Sequence, residues 1–181
     1  MHRFPNGFET RAAIELRAVS GRRLAGLAAV YNTPAKIGSF TETIRAGAFR
    51  ASLAAGHDIL ALLDHDPTKL LGRSASGTLR LSDTSRGLAF ELDVPDTGLG
   101  NDLLAMAERG DVGGMSFGFH VTDQAWPKPD TRELRGIDLR EISVVQAFPA
   151  YSGTEIAIRS RGIAYAAADA AIRRRYVESM L

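Results

Sequence analysis

The 181-residue chain contains no cysteine. A chain without cysteine forms no disulfide, binds no metal through thiolates and has no cysteine nucleophile. The sequence also lacks an excess of either charge, because 22 lysines and arginines stand against 21 aspartates and glutamates, for a formal net charge of +1. This balance gives no reason to expect a nucleic acid or an anionic membrane as a partner.

Long apolar segments are lacking as well. Residues 1–7 do not contain the apolar run of a signal peptide, and no later segment is long enough to span a bilayer. We therefore expect a soluble protein. A hydrophobic fraction of 45% and a charged fraction of 24% are those of an ordinary globular protein, and the length suits one domain with a complete core.

Short alternating or compact apolar segments, typical of strands, recur through the first 160 residues. They predict strands at 13–19, 24–31, 58–64, 115–122, 137–147 and 154–159, and a hairpin that pairs 79–82 with 88–94. The charged segment 123–135 carries the sequence WPKP at 126–129, and we interpret it as an exposed connection.

Two segments have helical spacing instead. Residues 45–55, closed by Gly56, predict a short helix, and a second helix is predicted from Asn101 or Asp102 to Arg109. Many short strands, two modest helices and no βαβ rhythm predict the α+β class. The architecture that we expect is a small, mostly antiparallel β-barrel surrounded by a few helices.

The composition changes near residue 161, where alanine and arginine become dense. Such a composition favours a helix, although its alanines bury little apolar surface. We therefore divide the chain into a barrel domain at 1–160 and a C-terminal helical tail at 161–181.

The predicted strand 137–147 carries a carboxylate on an otherwise apolar face. Alternation places Glu141 and Ser143 on one side with isoleucine, leucine, valine and alanine. A carboxylate in apolar surroundings is costly unless it is paired, so Glu141 needs a partner. One candidate is His65, which lies at the end of the apolar face of the predicted strand 58–64. The alternatives are a structural histidine, or a glutamate buried against an arginine.

Glycines flank a serine in the predicted strand 115–122. Gly114, Ser116, Gly118 and His120 share the face opposite to bulky apolar side chains. Glycines on the face of a serine leave space for another chain to approach its hydroxyl, although a barrel corner or a bulge also favours glycine. The string is not a nucleophile elbow, because no helix directly follows Ser116.

Serine, histidine and carboxylate are the parts of a nucleophile, base and orienting group. The residues stand in the order His65, Ser116, Glu141, which differs from the common orders of serine hydrolases. Triads are defined by geometry, so this order is no objection.

A metal hydrolase is the alternative enzyme, with ligands drawn from His57, Asp64, His65, Asp66 and His120. However, His57 and His65 lie eight residues apart, which matches no recognised ligand spacing.

His120 lies about 13 Å along the strand from Ser116, too far for a hydrogen bond. We expect the two aspartates to point away from the face of His65, into solvent or a turn.

Several segments together resemble the HK97-type prohead protease family of tailed phages. They are FTETIRAGAF at 40–49, SL at 52–53, LLDHD at 62–66, LG at 71–72, MSFGF at 115–119, LREISVV at 139–145 and FPA at 148–150. They occur in the family's order and cover roughly residues 25–160. The density of alanine and arginine also resembles members from phage-like gene transfer agents.

The resemblance implies a fold similar to that of the herpesvirus assembly proteases, a small antiparallel barrel with helices around it. Carried over, the family's histidine is His65, its nucleophile is Ser116 and its third member is Glu141. It implies a serine endopeptidase with no cofactor and no metal, which cleaves the major capsid protein, its scaffold segment and itself. The expected location is the procapsid in the host cytoplasm, and a homo-oligomer is compatible with it.

One feature departs from the herpesvirus pattern, in which an arginine pair after the third triad member builds the oxyanion site. Residues 146–155 contain no arginine. Backbone N–H groups of a loop, or Arg140, are then the candidates. The rival interpretation is a catalytically silent head-assembly module that keeps the barrel as a binding surface. An intact set of His65, Ser116 and Glu141 argues against it.

Overall fold

Strands make up most of the chain that the computed structural model describes, which is residues 7–13, 15–19 and 21–146. In chain order the elements are β1 (Phe8–Ala13), β2 (Glu15–Val19), β3 (Arg23–Val30), β4 (Ala35–Ile37), β5 (Phe40–Ile44), α1 (Arg50–Ala54), β6 (Leu60–Leu63), β7 (Asp66–Arg73), β8 (Leu79–Asp83), β9 (Gly87–Asp93), α2 (Gly98–Arg109), β10 (Gly114–Lys128) and β11 (Thr131–Val145). The predicted strands at 24–31, 58–64, 115–122 and 137–147 correspond to β3, β6, β10 and β11, and β8 and β9 form the predicted hairpin. The single strand predicted at 13–19 instead covers the last residue of β1 and the whole of β2.

The strands belong to two sheets. In the larger, seven-stranded sheet β1, β10, β11, β5 and β4 lie side by side, and β6 pairs with both β11 and β7. The smaller sheet has the order β2-β3-β9-β8. Most pairs are antiparallel, but β11 runs parallel to β5 and to β6. The described residues are thus mostly β with few helices, and their strands do not close into the single barrel that the sequence led us to expect.

The interpretation of residues 123–135 as an exposed connection was wrong. Strands β10 and β11 continue through it and pair as far as Lys128 and Thr131. Arg132 and Leu134 are both buried there. A charged side chain inside this segment is tolerated because acidic side chains from two other strands pair with it.

Both helices differ in length from the prediction. Helix α1 covers only Arg50–Ala54. Helix α2 begins earlier than predicted, because the Thr97 hydroxyl, rather than a side chain at 101 or 102, accepts the Gly100 N–H at 3.2 Å and caps the first turn. It ends as the sequence indicates, at Gly110, which adopts a left-handed conformation with φ of 74°.

The core unites both sheets and the helices. Aromatic rings at its centre are in contact, with ring centroids 5.5 Å apart for Phe49 and Phe117 and 5.1 Å apart for Phe117 and Phe119. Because side chains alternate along a strand, these two phenylalanines of β10 direct Ser116 and Gly118 to the opposite face. The hydrophobic core therefore determines which face of β10 carries the serine.

Four charged side chains form a buried ion cluster, Glu9, Arg11, Glu42 and Arg132. Arg132 Nη1 lies 2.8 Å from Glu9 Oε2 and 3.0 Å from Glu42 Oε2. Arg11 contacts the same two carboxylates, each at 2.6 Å. Burial by itself would raise the pKa of Glu9, but the hydrogen bonds and charges of both arginines outweigh it and lower this pKa. The cluster fixes β1 against β5 and β11.

The predicted strand at 154–159 and the predicted tail at 161–181 lie outside the described residues. Of the two helices described, neither has the length and apolarity needed to cross a membrane.

Candidate active site

Ser116 lies in the middle of the large sheet. In β10 it is opposite Ala12 of β1 on one side and Ser143 of β11 on the other. Its neighbours Met115 and Phe117 are buried in the core, so its own side chain points to the other face. Only 4% of Ser116 is exposed. Strand β1 pairs with β10 on both sides of Ser116, from Met115 to His120.

His65 follows β6 in a tight turn. Both Asp64 and His65 have positive φ, at 54° and 59°, a conformation that is uncommon for residues other than glycine. The turn is held by three hydrogen bonds to β11 and the residue after it. Asp64 N–H donates to Val144 O at 2.9 Å, Gln146 N–H to Asp64 Oδ1 at 2.8 Å, and His65 N–H to Ser143 Oγ at 3.2 Å. Strained backbone that is stabilised in this way is typical of functional sites.

Glu141 lies on β11 opposite Gly118 and is 6% exposed. A β-carbon at position 118 would overlap Glu141 Oε1 and the tip of the Phe8 ring. The space that the sequence analysis assigned to an approaching chain is therefore occupied, at Gly118, by the Glu141 carboxylate and by Phe8. Glycine at 118 makes room for the carboxylate.

The three side chains meet in one line of contacts. His65 Nδ1 lies 2.7 Å from Glu141 Oε1, and His65 Nε2 lies 2.8 Å from Ser116 Oγ. A carboxylate at Nδ1 favours the tautomer that carries its proton there, which leaves Nε2 free to accept the serine proton. The second carboxylate oxygen, Oε2, accepts a hydrogen bond from Ser143 Oγ at 2.5 Å. Such an arrangement is chemically able to activate a serine hydroxyl as a nucleophile.

A backbone carbonyl also contacts this serine. Ser116 Oγ lies 2.8 Å from the carbonyl oxygen of Arg11 in β1. A hydroxyl has one proton, so it donates either to His65 Nε2 or to Arg11 O. When the imidazole is neutral with its proton on Nδ1, Nε2 can accept the hydrogen bond of the serine hydroxyl. The Arg11 carbonyl and His65 Nε2 therefore compete for the one serine proton.

The remaining candidates from the sequence lie apart from these contacts. The His120 ring packs edge-on against Phe8, 5.5 Å between centroids. Asp64 accepts from a backbone N–H, as described, and Asp66 accepts from the N–H and the hydroxyl of Thr68 at 2.9 and 2.6 Å. Across residues 7–13, 15–19 and 21–146, no three histidine, aspartate or glutamate side chains are grouped to hold a metal ion.

Arg140, a candidate oxyanion donor, pairs with Asp138 at 2.6 Å and is exposed. It follows the alternation of β11 and so lies on the face opposite to Glu141. The other candidate, backbone N–H groups of a loop, was not assigned to particular residues, and residues 147–181 lie outside the described part of the chain.

Two features of the site were missed in the sequence. No local signal indicates that the Arg11 carbonyl reaches Ser116, because that contact joins residues 105 positions apart. A glycine on the same face as Ser116 indicated that space is needed at position 118. Alternation alone did not identify Glu141 as the side chain that occupies this space.

Two comparisons with known proteins found a match. The family model of the caudovirus prohead serine proteases matches residues 11–169. Among solved structures, the capsid assembly protease of bacteriophage T4 matches with a TM-score of 0.51 and 10% sequence identity, over 77% of this chain and 96% of that protein. At this identity the likeness concerns the fold alone. No curated protein matches the chain at a significant level.

The family match covers most of the chain, including His65, Ser116 and Glu141. It also confirms the resemblance on which the sequence analysis drew. The chain belongs to the family of caudovirus prohead serine proteases.

Proposed function

We propose that this protein is a serine endopeptidase in which Ser116 is the nucleophile, His65 the general base and Glu141 the group that orients His65. The observation that carries the proposal is the unbroken line of contacts from Glu141 Oε1 to His65 at 2.7 Å and from His65 to Ser116 Oγ at 2.8 Å. It occurs in a chain whose family consists of serine proteases.

The proposed reaction has the two stages of acyl transfer. His65 Nε2 takes the Ser116 proton while Ser116 Oγ attacks the scissile carbonyl, and the imidazolium then gives that proton to the leaving amine. Water, activated by the same imidazole, releases the acyl group. Glu141 stabilises the imidazolium through Nδ1 and keeps the ring in position. The oxyanion requires N–H donors, which we assign to the backbone of a loop rather than to Arg140, because Arg140 pairs with Asp138 on the other face.

The proposed substrates are the major capsid protein, its scaffold segment and the protease itself, inside the procapsid. The family description, prohead serine protease, and the T4 protein's description as a capsid assembly protease support this class of substrate. We also propose that residues from about 162 onward direct the enzyme to scaffold or capsid. Deleting 162–181 then leaves peptide cleavage intact and abolishes packaging into particles; an insoluble product of the deletion contradicts this.

Co-expression with the capsid gene adjacent to the protease gene tests the function. New termini in the capsid protein, mapped by mass spectrometry, are expected with the wild-type protease and absent with Ser116→Ala. Identical termini with both proteins would mean that another protease cleaves the capsid. An uncut capsid protein in both samples, with a folded protease, would favour the catalytically silent assembly module.

A further inference from the structure

Ser143 makes hydrogen bonds with both Glu141 and His65. It lies two residues after Glu141 on the same face of β11 and opposite Ser116 on β10, and it is fully buried. Its hydroxyl donates to Glu141 Oε2 at 2.5 Å and accepts the backbone N–H of His65 at 3.2 Å. We infer that Ser143 is a positioning residue, which holds both the Glu141 carboxylate and the His65 backbone for proton transfer. This inference rests on the proposed function.

The direction of the first hydrogen bond is fixed by chemistry. An ionised carboxylate only accepts, so the hydroxyl proton of Ser143 points to Glu141 Oε2. With Oε1 against His65 Nδ1, a donor at Oε2 sets the plane of the carboxylate and prevents its rotation away from the imidazole. Hydrogen bonds to a charged group are also stronger than those between neutral groups. The loss of this one would leave Oε2 of a buried carboxylate without a donor.

The second hydrogen bond acts on the histidine. His65 has a φ of 59°, which a non-glycine residue keeps only if its surroundings hold it there. Of the three hydrogen bonds that hold the turn, the one to Ser143 Oγ is the one made by His65 itself. Since the Ser143 proton is committed to Glu141, a lone pair remains for the His65 N–H. One hydroxyl thereby fixes the base relative to the carboxylate.

Ser52 provides the matched comparison, since it is a buried serine with a structural bond only. Its hydroxyl accepts the Leu139 N–H at 2.9 Å and joins α1 to β11. Both serines lose a backbone hydrogen bond when changed to alanine, so both changes should lower the melting temperature. Only the change at Ser143 removes a contact with the carboxylate. A difference between the two variants in rate, at similar losses of stability, isolates the positioning role.

The experiment is a double-mutant cycle of Ser143→Ala with Glu141→Gln in the full chain, with Ser52→Ala as control. Peptide cleavage gives kcat and KM, and labelling by a fluorophosphonate gives the reactivity of Ser116 without a peptide. We expect Ser143→Ala to lower kcat and the labelling rate by about 10- to 100-fold, with KM nearly unchanged. In the Glu141→Gln background the same change should cost less than about threefold, because residues that act as a unit are not additive. Ser52→Ala should keep the wild-type kcat.

Two results would overturn the inference: a folded Ser143→Ala protein with wild-type kcat and labelling rate, or a loss that multiplies fully with that of Glu141→Gln. If the alanine variant does not fold, Ser143→Cys, which has the same shape in a slightly larger side chain and is a weak donor, should show the same loss, and a wild-type rate in it is equally decisive. Failure of the proposed function has another signature, the absence of any difference in cleavage between wild type and Ser116→Ala. If the labelling is also the same in wild type and Ser116→Ala, there is no Ser116 reactivity for Ser143 to support, and the inference is overturned together with the proposed function.

Discussion

Gly118 and Glu141 lie opposite each other on β10 and β11, at a separation that admits no β-carbon on residue 118. The atom that a β-carbon would meet is Glu141 Oε1, the same oxygen that contacts His65 Nδ1 at 2.7 Å. The other overlapping atom is the tip of the Phe8 ring. Gly118 thus provides the space that the Glu141 carboxylate occupies.

Gly118→Ala should therefore lower kcat while the protein still folds. Both overlapping atoms are at the ends of side chains, which can move, so the backbone is not forced apart. A displaced carboxylate no longer orients the imidazole, and a misplacement of about 1 Å costs on the order of 10²-fold in rate. Peptide cleavage rates and thermal unfolding measure the two effects separately.

Gly98→Ala is the matched control for this change. A β-carbon there meets nothing within 4 Å, and the residue is helical in α2. Alanine should leave kcat unchanged and stabilise the helix slightly. If Gly118→Ala is as active as Gly98→Ala, glycine at 118 is not required to position the Glu141 carboxylate.

Ser116→Ala should abolish peptide cleavage with little effect on folding, since it removes one hydroxyl. His65→Ala should be equally damaging, and the double variant no worse than either, because nucleophile and base act as a unit. The controls are His57→Ala and His120→Ala, which should keep most of the activity. An inactive but folded His120 variant would transfer the role of the base from His65 to His120.

Glu141→Gln preserves the shape of the side chain and removes its charge. The amide no longer stabilises an imidazolium at His65, and it favours the wrong tautomer if its NH₂ faces Nδ1. We expect kcat to fall by up to about 10⁴-fold, as for carboxylate removal in other triads. Single-turnover cleavage measures the chemical step directly, and full activity of the glutamine variant would reduce Glu141 to a structural residue.

The sequence predicted the elements whose signals are local. A compact apolar run identified β3, and a polar stretch between two strand segments identified the β8–β9 hairpin. Alternation identified the faces of β10 and β11, and Gly110 identified the end of α2. A carboxylate on an apolar face required a partner, and the structure supplies His65 at that position. The catalytic roles of His65, Ser116 and Glu141 stay predictions, for which the experiments above are the test.

The features of the fold and the site that the sequence did not predict depend on contacts between distant residues. The parallel pairing of β6 with β11 places His65 next to Glu141. The residue pattern of neither strand indicates this pairing. The positive φ values of Asp64 and His65 are likewise imposed by hydrogen bonds to β11 and Gln146. Arg132 was taken for an exposed residue because its partner Glu9 lies 123 positions away. A charged residue is buried only where the fold supplies its counter-charges.

The buried ion cluster leads to a prediction for stability and its pH dependence. Glu9→Gln removes one of two negative charges and leaves Arg11 and Arg132 with Glu42 alone. Breaking a buried pair in this way costs about 3–5 kcal/mol of unfolding free energy at neutral pH. Glu91→Gln is the control, because Glu91 is half exposed and its pair with Arg80, at 3.4 Å, is a surface contact worth at most about 1 kcal/mol.

The sign of the pH dependence follows from the lowered pKa of Glu9. A carboxylate whose pKa is lower in the folded than in the unfolded state stabilises the fold fully above its ordinary value of 4.5, and this contribution is lost as the pH falls through the lowered pKa. The difference in unfolding free energy between wild type and Glu9→Gln should therefore be constant from pH 7 to about pH 5 and shrink on further acidification. Urea unfolding at a series of pH values measures this difference, and comparison with the variant removes the effect of titrating groups that lie outside the ion cluster. A difference that grows below pH 4.5 would mean that Glu9 is stabilised in its protonated form, against the charges that Arg11 and Arg132 place beside it.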